Sequence, residues 1–268
     1  MKKQVTELFE NIWQQYLAVT PSADKVHQLL GAGNDLINDH VAYRTFNIER
    51  VNIDKLSAHL LNLGYTECGQ YEFKAKKLNA KHFEHPDDTL PKVFISELIV
   101  EEFSTEVQAI INRIVANMDS SVTTDSNFLF SGTHWEISYD EYKTLLNESE
   151  YAAWLAAWGY RANHFTVSIN HLNDFECIDK VNTVVKDGGF KLNSSGGEVK
   201  GNAQVFLEQS STMADSIKVK FSDKEVEIPS CFYEFAKRYP MACGNLYTGF
   251  VAASADKIFE STNTSLLN

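Results

Sequence analysis

An internal repeat constrains the fold of this chain more than any other feature of its sequence. The segment that begins at Asp39, DHVAYRTFNIERVNIDKLSAHLLNLGY, aligns with the segment that begins at Asn163, NHFTVSINHLNDFECIDKVNTVVKDGGF, with one residue inserted in the second copy. His40 aligns with His164 in this comparison. We therefore expect two similar halves that converge on one central site.

Each copy of the repeat has the pattern of a strand followed by a helix. In the first copy Asn52 is the predicted N-cap, apolar residues then recur three and four positions apart, and Gly64 ends the helix. Strand-like segments follow each helix: TECGQYEFKAKKL and KVFISELIV in the first half, and GEVKGNAQVFLEQ, SIKVKF, EVEI and CFYEF in the second. The pattern predicts an α+β fold built from two βαβββ halves.

The expected organisation is one compact body in three parts. Residues 1–30 form a helical leader, residues 31–160 the first half with its connecting helices, and residues 161–268 the second half. The connecting helices are predicted in STEVQAIINRIVANM and YDEYKTLLNESEYAAWLAAW, where the residue spacing is helical. No segment rich in proline and glycine separates the halves.

Composition excludes several classes of function. The formal net charge is −12 and no cluster of lysine and arginine stands out, which argues against a nucleic-acid partner. No apolar run approaches the roughly 20 residues that cross a bilayer, so we expect no membrane partner. The N-terminal segment lacks the apolar core of a signal peptide, and the four cysteines are dispersed. We therefore expect a cytoplasmic location with reduced thiols.

The two aligned histidines are candidate metal ligands. Alternate residues of a strand share a face, so His40 lies on the same face as Ala42 and Arg44. His164 similarly begins a polar face. A single histidine in a strand is more often a structural residue than a ligand. Two histidines at equivalent positions of a repeat favour a shared ligand role.

Two histidines and one carboxylate form the facial triad that binds Fe(II) with open positions for substrate and oxygen. Candidate acids lie late in each half: Glu97 in KVFISELIV, Glu208 in VFLEQSS and Glu234 in CFYEFAKRY. Glu234 shares its strand face with Arg238, so a salt bridge between these two residues is the structural alternative. A further histidine pair in KHFEHPDD is predicted to lie in a solvated turn.

Five strings resemble the 2-oxoadipate dioxygenase/decarboxylase family, formerly a domain of unknown function, which is related in fold to the vicinal oxygen chelate (glyoxalase-like) enzymes. They are DHVAYRTF, NHFTV, LPKVFISEL, QSSTMAD and CFYEFAKRYP. The resemblance runs from about residue 39 to about residue 260, in a chain shorter than the better-characterised members.

The resemblance also assigns residues. It implies that a metal is held by His40 of an H-x-x-x-R string, by His164 on the matching strand, and by Glu234 of an F-x-E-x-x-x-R string. Arg44 matches the arginine that grips a substrate carboxylate, while the role of Arg238 stays open. Within QSSTMAD, Ser210 and Thr212 are candidates for pocket hydroxyls, with an ordinary polar turn as the alternative.

The resemblance implies oxidative decarboxylation of a 2-oxo acid, with 2-oxoadipate converted to 2-hydroxyglutarate and CO2 in lysine catabolism. Fe(II) is the expected cofactor, and Zn, Ni, Co or Mn can occupy such a site. The expected partners are a small 2-oxo acid and O2, with the chain as a monomer or homodimer.

Two other functions stay open at this point. A glyoxalase-type lyase or isomerase would use a fourth ligand, and Glu97 is the candidate because FISEL stands in the first half where CFYEF stands in the second. A non-catalytic small-molecule-binding protein would hold no metal, and scattered positions of the two histidines and Glu234 would exclude both enzymatic functions.

Overall fold

The computed structural model describes residues 2–32 and 36–263. The strands of these ranges are β1 Asn38–Phe46, β2 Thr66–Phe73, β3 Leu78–Glu84, β4 Lys92–Leu98, β5 His164–Ser168, β6 Lys200–Asn202, β7 Leu207–Ser211, β8 Ser216–Lys220, β9 Glu225–Pro229 and β10 Phe232–Arg238. The α-helices are α1 Lys2–Leu17, α2 Pro21–Gly31, α3 Ile53–Leu61, α4 Thr105–Ala116, α5 Tyr139–Glu148, α6 Glu150–Trp158, α7 Ile178–Asp187 and α8 Ala252–Ile258.

An eight-stranded sheet in the order β2-β3-β4-β1-β5-β10-β7-β6 contains both halves of the repeat. In the first half β1 pairs in parallel with β4, and in the second β5 pairs in parallel with β10. The halves join where β1 and β5 pair antiparallel. This architecture confirms the predicted α+β fold with duplicated βαβββ halves. The β8–β9 hairpin is an insertion between β7 and β10.

The two faces of the sheet are covered by different helices. On one face α3 packs on β3 and β4, and α7 packs on β7 and β10. On the other face α8 contacts β6 and β7 as well as β2, which lie at the two ends of the strand order. The sheet is therefore curled, and α8 lies across its concave face. The central strands β1 and β5 are buried along almost their whole length, as expected for strands covered on both faces.

Side-chain caps fix several helix ends. Asn52 caps α3 as predicted, since its side chain accepts a hydrogen bond from Lys55 N. The region YDEYKTLLNESEYAAWLAAW forms two helices that meet at Ser149. Ser149 has an extended backbone and its side chain caps α6. This break places Glu150 and Tyr151 in the first turn of α6, beside the end of β1.

The two N-terminal helices pack against the second half of the repeat. Tyr16 of α1 donates a hydrogen bond to the Phe232 carbonyl, and His27 of α2 is hydrogen-bonded to the Tyr233 hydroxyl. The predicted boundaries of the leader and the two halves stay predictions, and residues 1, 33–35 and 264–268 of those parts lie outside the described residues. Across the described ranges, no helix combines the length and apolarity that crossing a membrane needs.

Candidate metal centre

Three adjacent strands bring His40, His164 and Glu234 together on the concave face. The pairing register places Phe232 beside His164 and Glu234 beside Thr166, so Glu234 lies two residues further along β10. All three residues are buried, with 2%, 5% and 0% of their surface exposed. His40 Nε2 lies 3.6 Å from Glu234 Oε1, and His164 Nε2 lies 3.1 Å from Glu234 Oε2.

Both imidazoles are oriented in the same way. His40 Nδ1 lies 2.8 Å from Asp39 Oδ2, and His164 Nδ1 lies 2.9 Å from Asn163 Oδ1. Because each partner atom is an acceptor, each Nδ1 carries the proton and donates it. Each Nε2 therefore carries a lone pair, which is the form of histidine that binds metals. His164 Nε2 faces Glu234, whereas His40 Nε2 also lies 3.1 Å from the Thr166 hydroxyl.

The charge states of the centre suit a cation. Burial lowers the pKa of the His164 imidazole, although the Glu234 carboxylate opposes this shift. Burial by itself raises the pKa of the Glu234 carboxyl, but His40, His164 and the Gln209 amide outweigh it and hold that pKa below its ordinary value. His164 is accordingly neutral and Glu234 ionised near neutral pH.

The donor set fits a divalent ion. Glu234 Oε2 is completely buried and has no hydrogen-bond partner among the described residues, although His164 Nε2 lies 3.1 Å away. Two atoms that both present lone pairs at this distance need a positive charge between them. Metal bonds of about 2.1 Å at right angles separate neighbouring ligand atoms by about 3.0 Å. The His164–Glu234 separation of 3.1 Å is close to that value, and the His40–Glu234 separation of 3.6 Å is longer.

A buried ion pair fixes the position of Asp39, the residue that orients His40. Arg238 Nε lies 2.6 Å from Asp39 Oδ1, and Arg238 Nη2 lies 2.9 Å from Asp39 Oδ2. Arg238 Nη1 also donates to the carbonyls of Tyr247 and Gly249. The alternative of a Glu234–Arg238 salt bridge is therefore wrong, because Arg238 is paired with Asp39.

Glu97 lies on the opposite face of the sheet from the triad. Its carboxylate accepts a hydrogen bond of 3.0 Å from Ile53 N at the start of α3. In the register of the halves, His40 pairs with Lys92 as His164 pairs with Phe232, so the equivalent of Glu234 is Phe94. Glu97 stands an odd number of residues from Phe94, and its side chain therefore faces α3.

Glu208, the other candidate acid, is not at the centre either. Its carboxylate accepts a hydrogen bond of 2.8 Å from the Tyr239 hydroxyl. The neighbouring residue Gln209 does reach the triad, since its Nε2 donates to Glu234 Oε1 over 2.7 Å. The alternation along β7 accounts for both placements.

Arg44 lies on the same strand as His40, and its two terminal nitrogens are hydrogen-bonded to other side chains of the protein. Its Nη1 contacts the two Glu150 carboxylate oxygens at 3.1 and 3.3 Å, and its Nη2 donates to Thr262 Oγ1 over 3.0 Å. Its guanidinium also lies 4.9 Å from the Tyr151 ring centroid. The Nε atom has no hydrogen-bond partner among the described residues.

The structure does not bring Ser210 or Thr212 to the triad. Ser210 Oγ donates to Asn182 Oδ1 on α7, and Thr212 Oγ1 accepts a hydrogen bond from Tyr233 N. Ser211, which lies between them, is the residue that pairs with Glu234. Ser210 therefore faces α7 on the other side of the sheet, and Thr212 is paired with the backbone of β10.

His82 was predicted to lie in a solvated turn, and this is wrong. It belongs to β3, is 2% exposed, and its two ring nitrogens are 2.9 Å from the Tyr71 hydroxyl and from Glu84 Oε1. Tyr71 in turn accepts a hydrogen bond from Phe250 N. The strand continues to Glu84 because β2 pairs with it as far as that residue, which the local turn residues do not reveal.

Sequence reasoning missed the residues that orient the ligands. Asp39 and Asn163 stand at aligned positions immediately before the two histidines, and this recurrence of an oxygen-bearing side chain was a usable signal. Gln209 gave no such signal. Phe250 and Phe259 line a cavity of about 20 Å³ at the triad, and both come from a segment outside the repeat.

The chain matches one protein family over most of its length. The family model described as 2-oxoadipate dioxygenase/decarboxylase matches residues 2–129 and 126–245 of the chain. A rice relative described as a chloroplastic/amyloplastic 2-oxoadipate dioxygenase/decarboxylase is 35% identical over 97% of this chain and 79% of its own length.

Two solved structures are similar over nearly the whole chain. A structure from Shewanella frigidimarina is 62% identical, covers 93% of this chain and 98% of its own, and has a TM-score of 0.90. The rice hydroxyglutarate synthase in complex with 2-oxoadipate is 34% identical, covers 100% of this chain and 96% of its own, and has a TM-score of 0.92.

Proposed function

This chain belongs to the 2-oxoadipate dioxygenase/decarboxylase family, and from this premise we propose that it is an Fe(II)-dependent enzyme acting on a 2-oxo dicarboxylic acid. The family makes the chain a 2-oxo acid dioxygenase/decarboxylase. The 2-oxoadipate bound in the rice structure supports 2-oxoadipate or a close analogue as the substrate.

His40, His164 and Glu234 would hold the metal. This donor set is the one that non-haem Fe(II) oxygenases use, with three protein ligands and open positions for substrate and oxygen. When bound, the ion supplies Lewis acidity and electron transfer to O2. Zn, Ni, Co and Mn accept the same donors, so the identity of the native metal is part of the proposal.

The chain's own residues would bind the substrate and exclude water. Arg44 offers a planar fork that suits a carboxylate, and it lies on the same strand face as His40. Apolar side chains of Phe94, Phe250 and Phe259 wall the centre, which keeps water from the reacting groups. Gln209 holds one Glu234 oxygen and so restrains the carboxylate.

The proposed reaction balances without a further reductant. One 2-oxoadipate and one O2 give one 2-hydroxyglutarate and one CO2, with the substrate's own carbon chain supplying the electrons that reduce oxygen. A 2-oxo acid is suited to this role because its adjacent keto and carboxylate oxygens can chelate one ion.

The observation that carries the proposal is the three-ligand centre with Phe94 at the position equivalent to Glu234. The glyoxalase-type alternative requires Glu97 at the centre, and Glu97 instead bonds to α3. The non-catalytic alternative predicts no metal, whereas three donor atoms that suit a metal lie within 4.8 Å of one another. Both alternatives are therefore less well supported.

The test is oxygen uptake by protein reconstituted anaerobically with iron, after addition of 2-oxoadipate and a panel of related 2-oxo acids. We expect one CO2 per O2 consumed, and loss of uptake in the His164→Ala variant. No uptake by protein that binds one metal ion would contradict the proposal and favour the glyoxalase-type reaction.

A cytoplasmic location, a role in lysine catabolism and a monomeric or homodimeric state are further parts of the proposal. The rice relative is described as chloroplastic/amyloplastic. Cell fractionation and light scattering are the direct measurements of location and oligomeric state.

A further inference from the structure

The cavity at the triad is too small for the proposed substrate. Its volume is about 20 Å³, close to the space that one water molecule needs. A 2-oxo dicarboxylic acid of six carbons has more than ten non-hydrogen atoms. Part of the wall must therefore move before such a molecule reaches the metal ligands.

Phe259 separates this cavity from a larger one. The second pocket has a volume of about 200 Å³, and Phe259 lines both. Glu150 and Tyr151, from the first turn of α6, line the larger pocket together with Lys76 and Lys77. Glu148 also lines this pocket, and Lys76 is paired with Glu260, so the charges of the lining side chains offset one another.

Arg44 lies behind the wall that the two cavities share. Its guanidinium is 5.8 Å from the Phe259 ring centroid and 4.9 Å from the Tyr151 ring centroid. The Arg44 side chain is 1% exposed, whereas the Glu150 side chain paired with it is 24% exposed. Glu150 can therefore turn outward into the pocket while Arg44 cannot leave its position.

From these contacts we infer that the larger pocket is the entrance for a dianionic substrate, and that a substrate carboxylate displaces Glu150 from Arg44. A buried arginine without a counter-charge is unstable, so Glu150 supplies the negative charge before substrate binds. A substrate carboxylate offers the same pair of oxygens and restores the pairing. The inference rests on the proposed function, because it takes Arg44 as the carboxylate-binding residue.

The unpaired Nε of Arg44 supports this assignment. The atom is buried and has no acceptor among the described residues, so the Glu150 contact uses only one end of the guanidinium fork. A permanent structural pair would be expected to satisfy this donor as well. A ligand carboxylate that contacts Nε and Nη2 together, as Asp39 contacts Arg238, would complete it. The unpaired Nε thus supports Arg44 as a carboxylate-binding residue, whereas the displacement of Glu150 from Nη1 rests on the partial exposure of Glu150.

The test compares two glutamates that line the same pocket. Glu150→Gln removes the negative charge that is paired with Arg44. Glu148→Gln removes a negative charge from the same pocket, but the Glu148 carboxylate accepts its hydrogen bonds from Ser104. Binding of 2-oxoadipate is measured by calorimetry on Zn-loaded protein, in which no turnover occurs. We expect at least threefold tighter binding by Glu150→Gln than by wild type, and less than a twofold change for Glu148→Gln.

Glu150→Asp separates contact from charge. It keeps the negative charge in the pocket but is one methylene shorter, so it also competes less for Arg44 and should bind 2-oxoadipate more tightly than wild type. Thermal unfolding of each variant checks that it is folded. If Glu150→Gln and Glu150→Asp bound no more tightly than Glu148→Gln, the displacement of Glu150 would be refuted.

The failures of the two proposals can be told apart. Wild-type protein that binds 2-oxoadipate and consumes oxygen, with Glu150 variants indistinguishable from the Glu148 variant, overturns only the inference about Glu150. Wild-type protein that neither binds a 2-oxo acid nor consumes oxygen overturns the proposed function, and the inference that rests on it.

Discussion

At the scale of single residues, the centre depends on how each imidazole is oriented. The two halves use the same device with different chemistry: Asp39, itself paired with Arg238, accepts from His40, whereas the neutral Asn163 accepts from His164. Burial by itself raises the pKa of the Asp39 carboxyl, but Arg238 and His40 together outweigh it and hold that pKa well below its usual value, so this partner stays ionised. Substitution of the neutral partner, Asn163, is simpler to interpret than substitution of Asp39, which would also leave Arg238 without its counter-charge.

We expect Asn163→Ala to weaken metal binding by roughly 10- to 100-fold, as is typical when the group that orients a metal-binding histidine is lost. Asn163 is 1% exposed, and its side-chain nitrogen has no partner among the described residues, so the substitution strands no charge. Competition titration with a chromophoric chelator measures the affinity for Zn²⁺.

Asn182→Ala is the matched control for this prediction. Asn182 is also a buried asparagine whose oxygen accepts one hydrogen bond and whose nitrogen is unpaired, but its partner is Ser210. We expect its metal affinity to equal that of wild type. Equal loss of affinity in both variants would show that the effect is general destabilisation.

At the scale of secondary-structure elements, strand register decides which side chains reach the centre. β4 and β10 occupy equivalent places in the two halves, yet they present Phe94 and Glu234 at the equivalent position. The sequence comparison of FISEL with CFYEF suggested Glu97, which is displaced by three residues and so faces the other side. The register thus leaves the centre with three protein ligands.

We expect Phe94→Glu to add a fourth ligand. The new carboxylate would tighten Zn²⁺ binding by about tenfold or more. A change of this size in metal affinity is typical when a group that orients a metal ligand is altered. It would also occupy a position that substrate needs, so oxygen uptake with 2-oxoadipate should be lost. Chelator competition and an oxygen electrode give the two readouts.

Phe94→Leu controls for the loss of the aromatic ring at this position. It should keep the metal affinity of wild type, because leucine offers no donor atom. Zn²⁺ binding by Phe94→Glu that is no tighter than binding by Phe94→Leu would mean that the side chain at this position does not reach the ion.

At the scale of the whole molecule, the metal centre joins the two halves. His40 comes from the first half, whereas His164 and Glu234 come from the second, and the sheet runs continuously between them through the β1–β5 pair. A bound ion is therefore a crosslink between the halves that exists only in the folded chain. Metal binding should stabilise the protein as a unit.

Removal of metal should lower the melting temperature. A free metal concentration 100 times the dissociation constant stabilises the folded state by about 2.7 kcal/mol. For a chain of this size we expect a shift of roughly 5–10 °C between metal-loaded and chelator-treated protein. Differential scanning calorimetry measures it, and the His164→Ala variant should show no such shift. Identical melting temperatures for wild type with and without metal would contradict a shared centre.

The sequence by itself determined the duplicated βαβββ architecture, and it singled out His40, His164 and Glu234, which the structure brings together. The architecture and the two histidines lie in local periodicity and in a repeat, which can be read within short segments, whereas the choice of Glu234 came from the family resemblance of CFYEFAKRYP. The tertiary structure alone decided that Glu97 faces α3, that Arg238 pairs with a residue 199 positions away, and that Arg44 pairs with Glu150. Strand register and the curl of the sheet bring such distant residues together, and no local pattern encodes that distance.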